Sequence, residues 1–113
     1  MEYSVEYLPN AMTFRVEQRE EIRRMIDLEV SLIEEGYFED RFEQIDEGPF
    51  YRFTLFNKNR VYLMVGFLIL APEYLVVFAD GEVTASSYPS EKLMREATTC
   101  YPLVLKALEI ASA

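Results

Sequence analysis

Residues 49–70, with the sequence PFYRFTLFNKNRVYLMVGFLIL, decide the fold because they contain two adjoining β-strand patterns. In residues 50–56, large apolar side chains such as Phe53 stand at every second position, which is typical of a strand with one buried face. The next three residues, Asn-Lys-Asn, supply a turn, and residues 60–70 continue as a strand that is apolar on both faces from Val61 onward. This segment therefore predicts an antiparallel hairpin whose second strand lies in the middle of a sheet that is covered on both sides.

Two further strands are predicted after the hairpin, and one before it. An Ala-Pro-Glu triplet ends the central strand, and residues 74–79 resume an apolar pattern. Asp80-Gly81 favours a two-residue hairpin turn, so residues 82–85 are expected to return as a fourth antiparallel strand. Near the N-terminus, residues 2–8 alternate polar and apolar side chains, which indicates a short, half-buried strand.

Two helices flank this meander in the sequence. Apolar residues recur at helical spacing over residues 13–35, and Gly36 stands where a C-terminal cap is expected. The second helix is predicted to begin at Ser87 or Ser90. Its apolar positions keep one phase through Pro102, which predicts a single kinked helix rather than two helices.

The expected architecture is a single α+β domain over residues 1–113. An antiparallel meander sheet of four to five strands is packed with two helices as an α/β sandwich. Half of the 113 residues are hydrophobic, so one core of this kind can form without disulfides or a structural metal. The side chains expected in that core are Phe53, Leu63, Val65, Val77, Ile26 and Val104.

Cysteine usage and hydropathy predict a cytoplasmic protein that does not enter the membrane. The single cysteine, Cys100, cannot form an internal disulfide, and the first residues lack the basic and apolar regions of a secretory signal. The longest apolar run covers 11 residues, 61–71, whereas a membrane-spanning helix needs about 20.

The charge is strongly and unevenly negative. The chain has 20 acidic and 11 basic residues, a net charge of −9, and residues 17–47 alone hold twelve acidic residues and four arginines. This balance repels nucleic acid phosphates and anionic lipid, so neither nucleic acid nor membrane is an expected partner. A basic protein surface is the expected partner, and exposed strand edges or the C-terminal helix could support a homodimer.

The residue inventory argues against an enzyme. The chain has no histidine, and its four glycines form no phosphate-binding pattern. Cys100 lies on the apolar face of a predicted helix, where a thiol serves as a small core side chain. We therefore expect a protein that acts without catalysis.

The acidic stretch of residues 34–47 is the candidate binding site, because six net negative charges fall within fourteen residues among several aromatic side chains. Such a surface steers a basic partner by charge, while aromatic residues serve as buried anchors. The main hypothesis is a non-enzymatic acidic binding or regulatory protein, of inhibitor, immunity or anti-defence type. The residues expected to contact the partner are Glu34, Glu35, Tyr37, Phe38, Glu39, Asp40, Phe42, Glu43, Asp46 and Glu47.

Three alternatives for this stretch stay open. Clustered carboxylates and loop carbonyls can supply the oxygens that Ca²⁺ requires, although an EF-hand is excluded because Ile45 stands where glycine is needed. The calcium ligands would be Glu39, Asp40, Glu43, Asp46 and Glu47, and no other cofactor is expected. Size and layout also suit an acidic secretion chaperone, and the simplest alternative is a surface that only keeps the protein in solution.

Glu29 is a charged residue on the apolar face of the first predicted helix. A carboxylate in such a position requires a partner, because burying an unpaired charge is costly. An arginine from the sheet, such as Arg52 or Arg60, is the expected partner.

Overall fold

The structure is a computed structural model that describes residues 2–37, 41–70 and 74–112. Within these residues the chain forms an α+β fold of five strands and three helices. In order they are β1 (Ser4–Tyr7), α1 (Pro9–Glu17), α2 (Glu20–Glu34), β2 (Phe42–Gln44), β3 (Phe50–Asn57), β4 (Arg60–Ile69), β5 (Leu75–Thr84) and α3 (Glu91–Ser112). None of the described helices has an apolar stretch sufficient to cross a bilayer.

The five strands form one mixed sheet in the order β1-β5-β4-β3-β2. The pairs β2–β3, β3–β4 and β4–β5 are antiparallel, whereas β1 runs parallel to β5 at the edge. The α+β class is confirmed, but the expectation of a purely antiparallel sheet is wrong. Alternation of side chains in β1 reports a half-buried face and carries no information about which strand it pairs with or in which direction.

The central hairpin is confirmed. β3 and β4 pair from Phe50 opposite Phe67 to Asn57 opposite Arg60, so Lys58 and Asn59 form the turn. β4 occupies the middle of the sheet, and its side chains are buried on both faces from residue 61 to residue 67.

Two cores cover the two faces of the sheet. The first lies beneath α1 and α2 and the second beneath α3, which matches the apolar character of β4 on both faces. Five of the six predicted core residues are at most 1% exposed, and Val104 is only partly buried at the margin of the second core. Large side chains of the first core are Ile22, Ile26, Phe53, Met64 and Phe78, and those of the second are Leu63, Val65, Phe67, Val77 and Leu93.

The first predicted helix is two helices, and it begins earlier than expected. α1 starts at Pro9, because proline is favoured in the first helical turn. The backbone turns extended at Gln18 and Arg19, and side chains take over the lost backbone bonds: Gln18 Nε2 donates to the carbonyl of Phe14 at 2.7 Å. Neither glycine nor proline marks this break, and the apolar periodicity continues across it. The sequence therefore predicted one helix where there are two.

Both predicted helix caps near the ends of α2 and α3 are confirmed. Gly36 has a φ of 96° and follows α2, and its N–H donates to the carbonyl of Ile33. At the start of α3, the N–H of Leu93 donates to Ser90 Oγ at 3.2 Å, which makes Ser90 the N-cap. α3 continues as one helix through Pro102, as the phase of its apolar residues predicted.

The predicted turn at Asp80-Gly81 does not exist. β5 runs unbroken from Leu75 to Thr84, with a β-bulge at Ala79 opposite the step from Val65 to Gly66. The glycine serves close packing instead: a Cβ on Gly81 would lie 2.4 Å from the ring of Phe14 in α1. The meander therefore has three long strands, and the short β2 lies within the stretch that was predicted to be a loop.

Candidate functional site

The predicted acidic face is only partly described. Glu34 ends α2, Glu35 is its C-cap, and both are exposed. Tyr37 is 58% exposed beside them. Three further predicted contact residues, Phe38, Glu39 and Asp40, lie outside the described residues.

Phe42 is not a surface anchor. It is 3% exposed, stacks on Tyr51 with ring centres 4.9 Å apart, and meets the edge of Phe78. Such aromatic contacts stabilise the first core. The prediction that Phe42 is available to a partner is therefore wrong, because β2 pairs with β3 and turns this side chain inward.

The remaining acidic residues of the stretch do not gather into a metal site. Glu43 forms an ion pair with Arg52 at 3.2 Å, and Asp46 and Glu47 are exposed in the turn between β2 and β3. Among the described residues there is no group of three or more acidic, cysteine or histidine side chains that could hold a metal ion. Two of the five proposed calcium ligands lie outside those residues, so cation binding there stays a prediction.

Glu29 has an arginine partner, but not one from the central strands. Its Oε2 lies 2.6 Å from Nε of Arg41, the residue that precedes β2, and only 16% of the Glu29 side chain is exposed. Oε2 has no well-aligned hydrogen bond, so the contact is best described as an ion pair. The expectation of Arg52 or Arg60 is wrong because Arg52 reaches Glu43 and the carbonyl of Ser87 instead.

A groove of about 370 Å³ lies between α3 and the segment that joins β1 to α1, and we call it the α3 groove. It is lined by Leu8, Pro9, Asn10, Ala79, Glu96, Cys100, Leu103, Val104 and Ala107. At its polar end the Cys100 thiol donates to Glu96 Oε1 at 3.4 Å. Burial and the Glu96 carboxylate raise the pKa of Cys100 to about 11, so this thiol is protonated at neutral pH.

Two more carboxylates lie near this end of α3. Burial, and then the charge of Glu96, raise the pKa of Asp80, whose Oδ1 accepts the N–H of Gly81 at 2.7 Å. Glu82 accepts from both the N–H and the hydroxyl of Ser90 and so supports the start of α3. Asp80 therefore holds its proton to a higher pH than an exposed aspartate does, while Glu82 has a structural contact with the N-cap of α3.

A second cleft lies at the tip of the β3–β4 hairpin, and its charged lining residues are all basic. We call it the hairpin cleft; its volume is about 490 Å³, and it is lined by Arg19, Asn57, Lys58, Asn59, Arg60 and Tyr62. Sequence reasoning treated residues 57–59 as a turn and nothing more. The available signal was the pair of cations at the turn, in a chain that has only 11 basic residues.

The fold is similar to that of a toxin. A solved structure of a mutant of the E. coli toxin RelE in the free state superimposes on this chain with a TM-score of 0.67, at 13% sequence identity. The alignment covers 89% of this chain and 99% of that chain. Neither a scan against known protein families nor a search of curated proteins finds a match.

This likeness corrects the functional prediction. The sequence was interpreted as an acidic inhibitor or regulatory protein that docks on a basic partner, with calcium binding or a secretion chaperone as alternatives. The fold is instead that of a protein described as a toxin. Acidity was a misleading guide because net charge determines solubility and association and does not determine the fold.

Proposed function

We propose that this protein is a toxin-type protein, one that impairs the growth of a cell in which it accumulates. The single observation that carries the proposal is the shared fold, which extends over 99% of the RelE chain. A partial match to one hairpin or helix pair would support nothing of this kind, because such units recur in many unrelated proteins.

We infer that the effect comes from occupying a target rather than from catalysis. The chain has no histidine, and the pKa of Cys100 at about 11 leaves very little thiolate at neutral pH. Glu96 and Cys100 are the titratable residues that line the α3 groove, and the pKa values of Cys100 and of the neighbouring Asp80 are raised. No cofactor is part of the proposal.

We further propose that the target is neither nucleic acid nor a membrane surface. The net charge of −9 opposes approach to any extended polyanion, and this repulsion acts over the Debye length of about 8 Å at physiological salt. A cytoplasmic location is part of the same proposal, because a lone, unpaired cysteine is typical of a reducing compartment.

Controlled expression tests the proposal. The chain is induced from a tightly repressed promoter in a bacterial host, and growth rate is recorded together with the amount of folded protein. We expect growth to stop within a few generations. Gly66→Ala is the matched control, because a Cβ at Gly66 would lie 2.1 Å from the carbonyl oxygen of Val77 and the sheet could not close.

Catalysis and occupancy are separated by two more variants in the same strain. Cys100→Ser and Glu96→Gln remove the groups best placed for chemistry in the α3 groove. Under the proposal both still stop growth at equal protein levels. If the wild-type protein accumulates in folded form and growth is unchanged, the toxin proposal is wrong; if either variant loses the effect while remaining folded, the non-catalytic part is wrong.

A further inference from the structure

The geometry points to the hairpin cleft as a binding site for the phosphate group of a small phosphorylated molecule. This inference is independent of the toxin proposal, since it rests on the charges, turn geometry and shape of the cleft. The occupant is identified by its chemistry, a compact dianion or pyrophosphate.

Among the described residues, three basic side chains without an ion pair line the hairpin cleft together, whereas the arginines that have acidic partners lie elsewhere. Each of Arg15, Arg24, Arg41 and Arg52 forms an ion pair with an acidic residue at 3.2 Å or less. Within the described part of the chain, no ion pair is formed by Arg19, Lys58 or Arg60. In a protein with 20 acidic residues, three converging cations without a carboxylate partner leave a local positive field for an anion.

The turn that carries Lys58 adopts a backbone conformation that lysine disfavours. Its φ is 56°, in the left-handed region where glycine is best and asparagine next best. Asparagine stands on both sides of it, at positions 57 and 59, yet the strained position itself holds lysine. The hairpin turn requires the positive φ, and the choice of lysine over glycine or asparagine at this position is consistent with a role for its side chain in the cleft.

Neutral donors and a helix end complete the cleft. The amides of Asn57 and Asn59 line it and can donate to phosphate oxygens, although one N–H of Asn57 already donates to Met25 Sδ at 3.4 Å. Arg19 is the N-cap of α2 and makes no side-chain capping bond, so the N–H groups of the first turn are available to an anion. Glu20 and Glu21 occupy that first turn; Glu20 is engaged by Arg24 at 2.7 Å.

The size of the cleft and the charge of the whole chain favour a small ligand over a polymer. About 490 Å³ falls within the roughly 300 to 1,000 Å³ typical of small-molecule sites. A compact anion interacts mainly with the local field of the cleft, whereas a nucleic acid chain extends along a surface with a net charge of −9.

Calorimetric titration with sodium pyrophosphate at about 0.15 M salt tests the inference, with orthophosphate and ADP as parallel ligands. We expect saturable binding of one pyrophosphate per chain. Lys58→Gln and Arg60→Gln should each weaken it about tenfold, because each removes a charge-assisted hydrogen bond. Lys106→Gln in α3 makes the same change in net charge away from the cleft and should alter the affinity less than twofold.

Lys58→Gly is a control that distinguishes loss of the lysine side chain from loss of the fold. Glycine suits the positive φ, so this variant should have a raised Tm and yet lose pyrophosphate affinity. Tighter binding of ADP than of pyrophosphate would identify a nucleotide as the source of the phosphate, and equal or weaker binding a free phosphate.

Three outcomes overturn the inference. One is the absence of saturable heat with all three ligands. Another is equal weakening by Lys58→Gln and Lys106→Gln, which would mean diffuse counterion binding. The third is tighter binding of a short RNA oligonucleotide than of any small ligand through the same residues. Because these measurements use purified protein, the result for phosphate binding does not depend on the result of the growth experiment.

Discussion

Gly81 shows at the scale of one residue how a packing requirement can be mistaken for a turn signal. Its φ lies outside the left-handed region, so its backbone does not demand glycine. Space does: the ring of Phe14 lies where a Cβ would project, 2.4 Å from its ideal position. α1 approaches β5 at this point because one side chain is missing.

We expect Gly81→Ala to lower the free energy of unfolding by about 1 to 3 kcal/mol, the usual range for overpacking. Urea unfolding followed by circular dichroism measures the change. Adding Phe14→Leu should recover part of the loss, because the smaller side chain makes room for the methyl group. If the double variant is no more stable than the sum of the two single changes predicts, the contact with Phe14 is not the cause.

Cys100 provides a second test at the residue scale. With its pKa raised to about 11, the thiol should be alkylated by iodoacetamide at pH 8 far more slowly than in the urea-unfolded chain. Glu96→Gln should speed the reaction of the folded protein several-fold, because it removes the carboxylate charge that disfavours the thiolate. An unchanged rate in a folded Glu96→Gln protein would show that burial alone protects the thiol.

At the scale of the secondary structure elements, β4 is the element on which both cores depend. It pairs on both sides and buries residues on both faces, so no single layer accounts for its stability. α1 and α2, in contrast, are connected by side chains: Arg15 makes two bonds to Asp27, at 2.8 and 2.7 Å, and its guanidinium lies 5.8 Å from the Tyr7 ring centre. The contacts of Arg15 therefore hold the two helices together at the break, where α2 has no side-chain N-cap.

Leu63→Ala should destabilise the protein by about 2 to 5 kcal/mol, because Leu63 is fully buried in the second core and the cavity cannot collapse within a central strand. Thermal and urea unfolding measure the loss. Leu103→Ala in α3 is the matched control, since Leu103 is 63% exposed and the same truncation there should cost under about 0.5 kcal/mol. Equal losses would contradict the assignment of β4 to the centre.

At the scale of the whole molecule, stability should fall as the solution becomes alkaline. Burial raises the pKa of Tyr7 to about 12 from 10.0 and that of Cys100 to about 11 from 9.0. Both groups hold their protons more tightly in the folded state, so their contribution to stability is complete below the unfolded pKa values. It is lost as the pH rises through about 9 to 12.

Urea midpoints measured between pH 7 and pH 11 should therefore decrease above pH 9. Tyr7→Phe and Cys100→Ser together remove both ionisations and should flatten this alkaline decrease, after correction for their effect at pH 7. A decrease of the same slope in the double variant would assign the effect to the general repulsion of a chain that already carries −9.

The sequence by itself determined the features that depend on neighbours along the chain. The two apolar faces of residues 61–69 predicted a covered central strand, and Gly36 and Ser90 marked helix ends, because periodicity and capping are local properties. The acidic balance was also plain, although it misled the functional hypothesis.

Only the tertiary structure decided the features that join distant segments. The parallel pairing of β1 with β5, the partnership of Glu29 with Arg41, the inward position of Phe42 and the contact of Gly81 with Phe14 each connect residues that the chain order separates. The hairpin cleft is another such feature, since it brings Arg19 beside Lys58 and Arg60. The physical reason is that a one-dimensional pattern states which side chains seek burial or charge partners, whereas the packing of the elements selects which partners they meet.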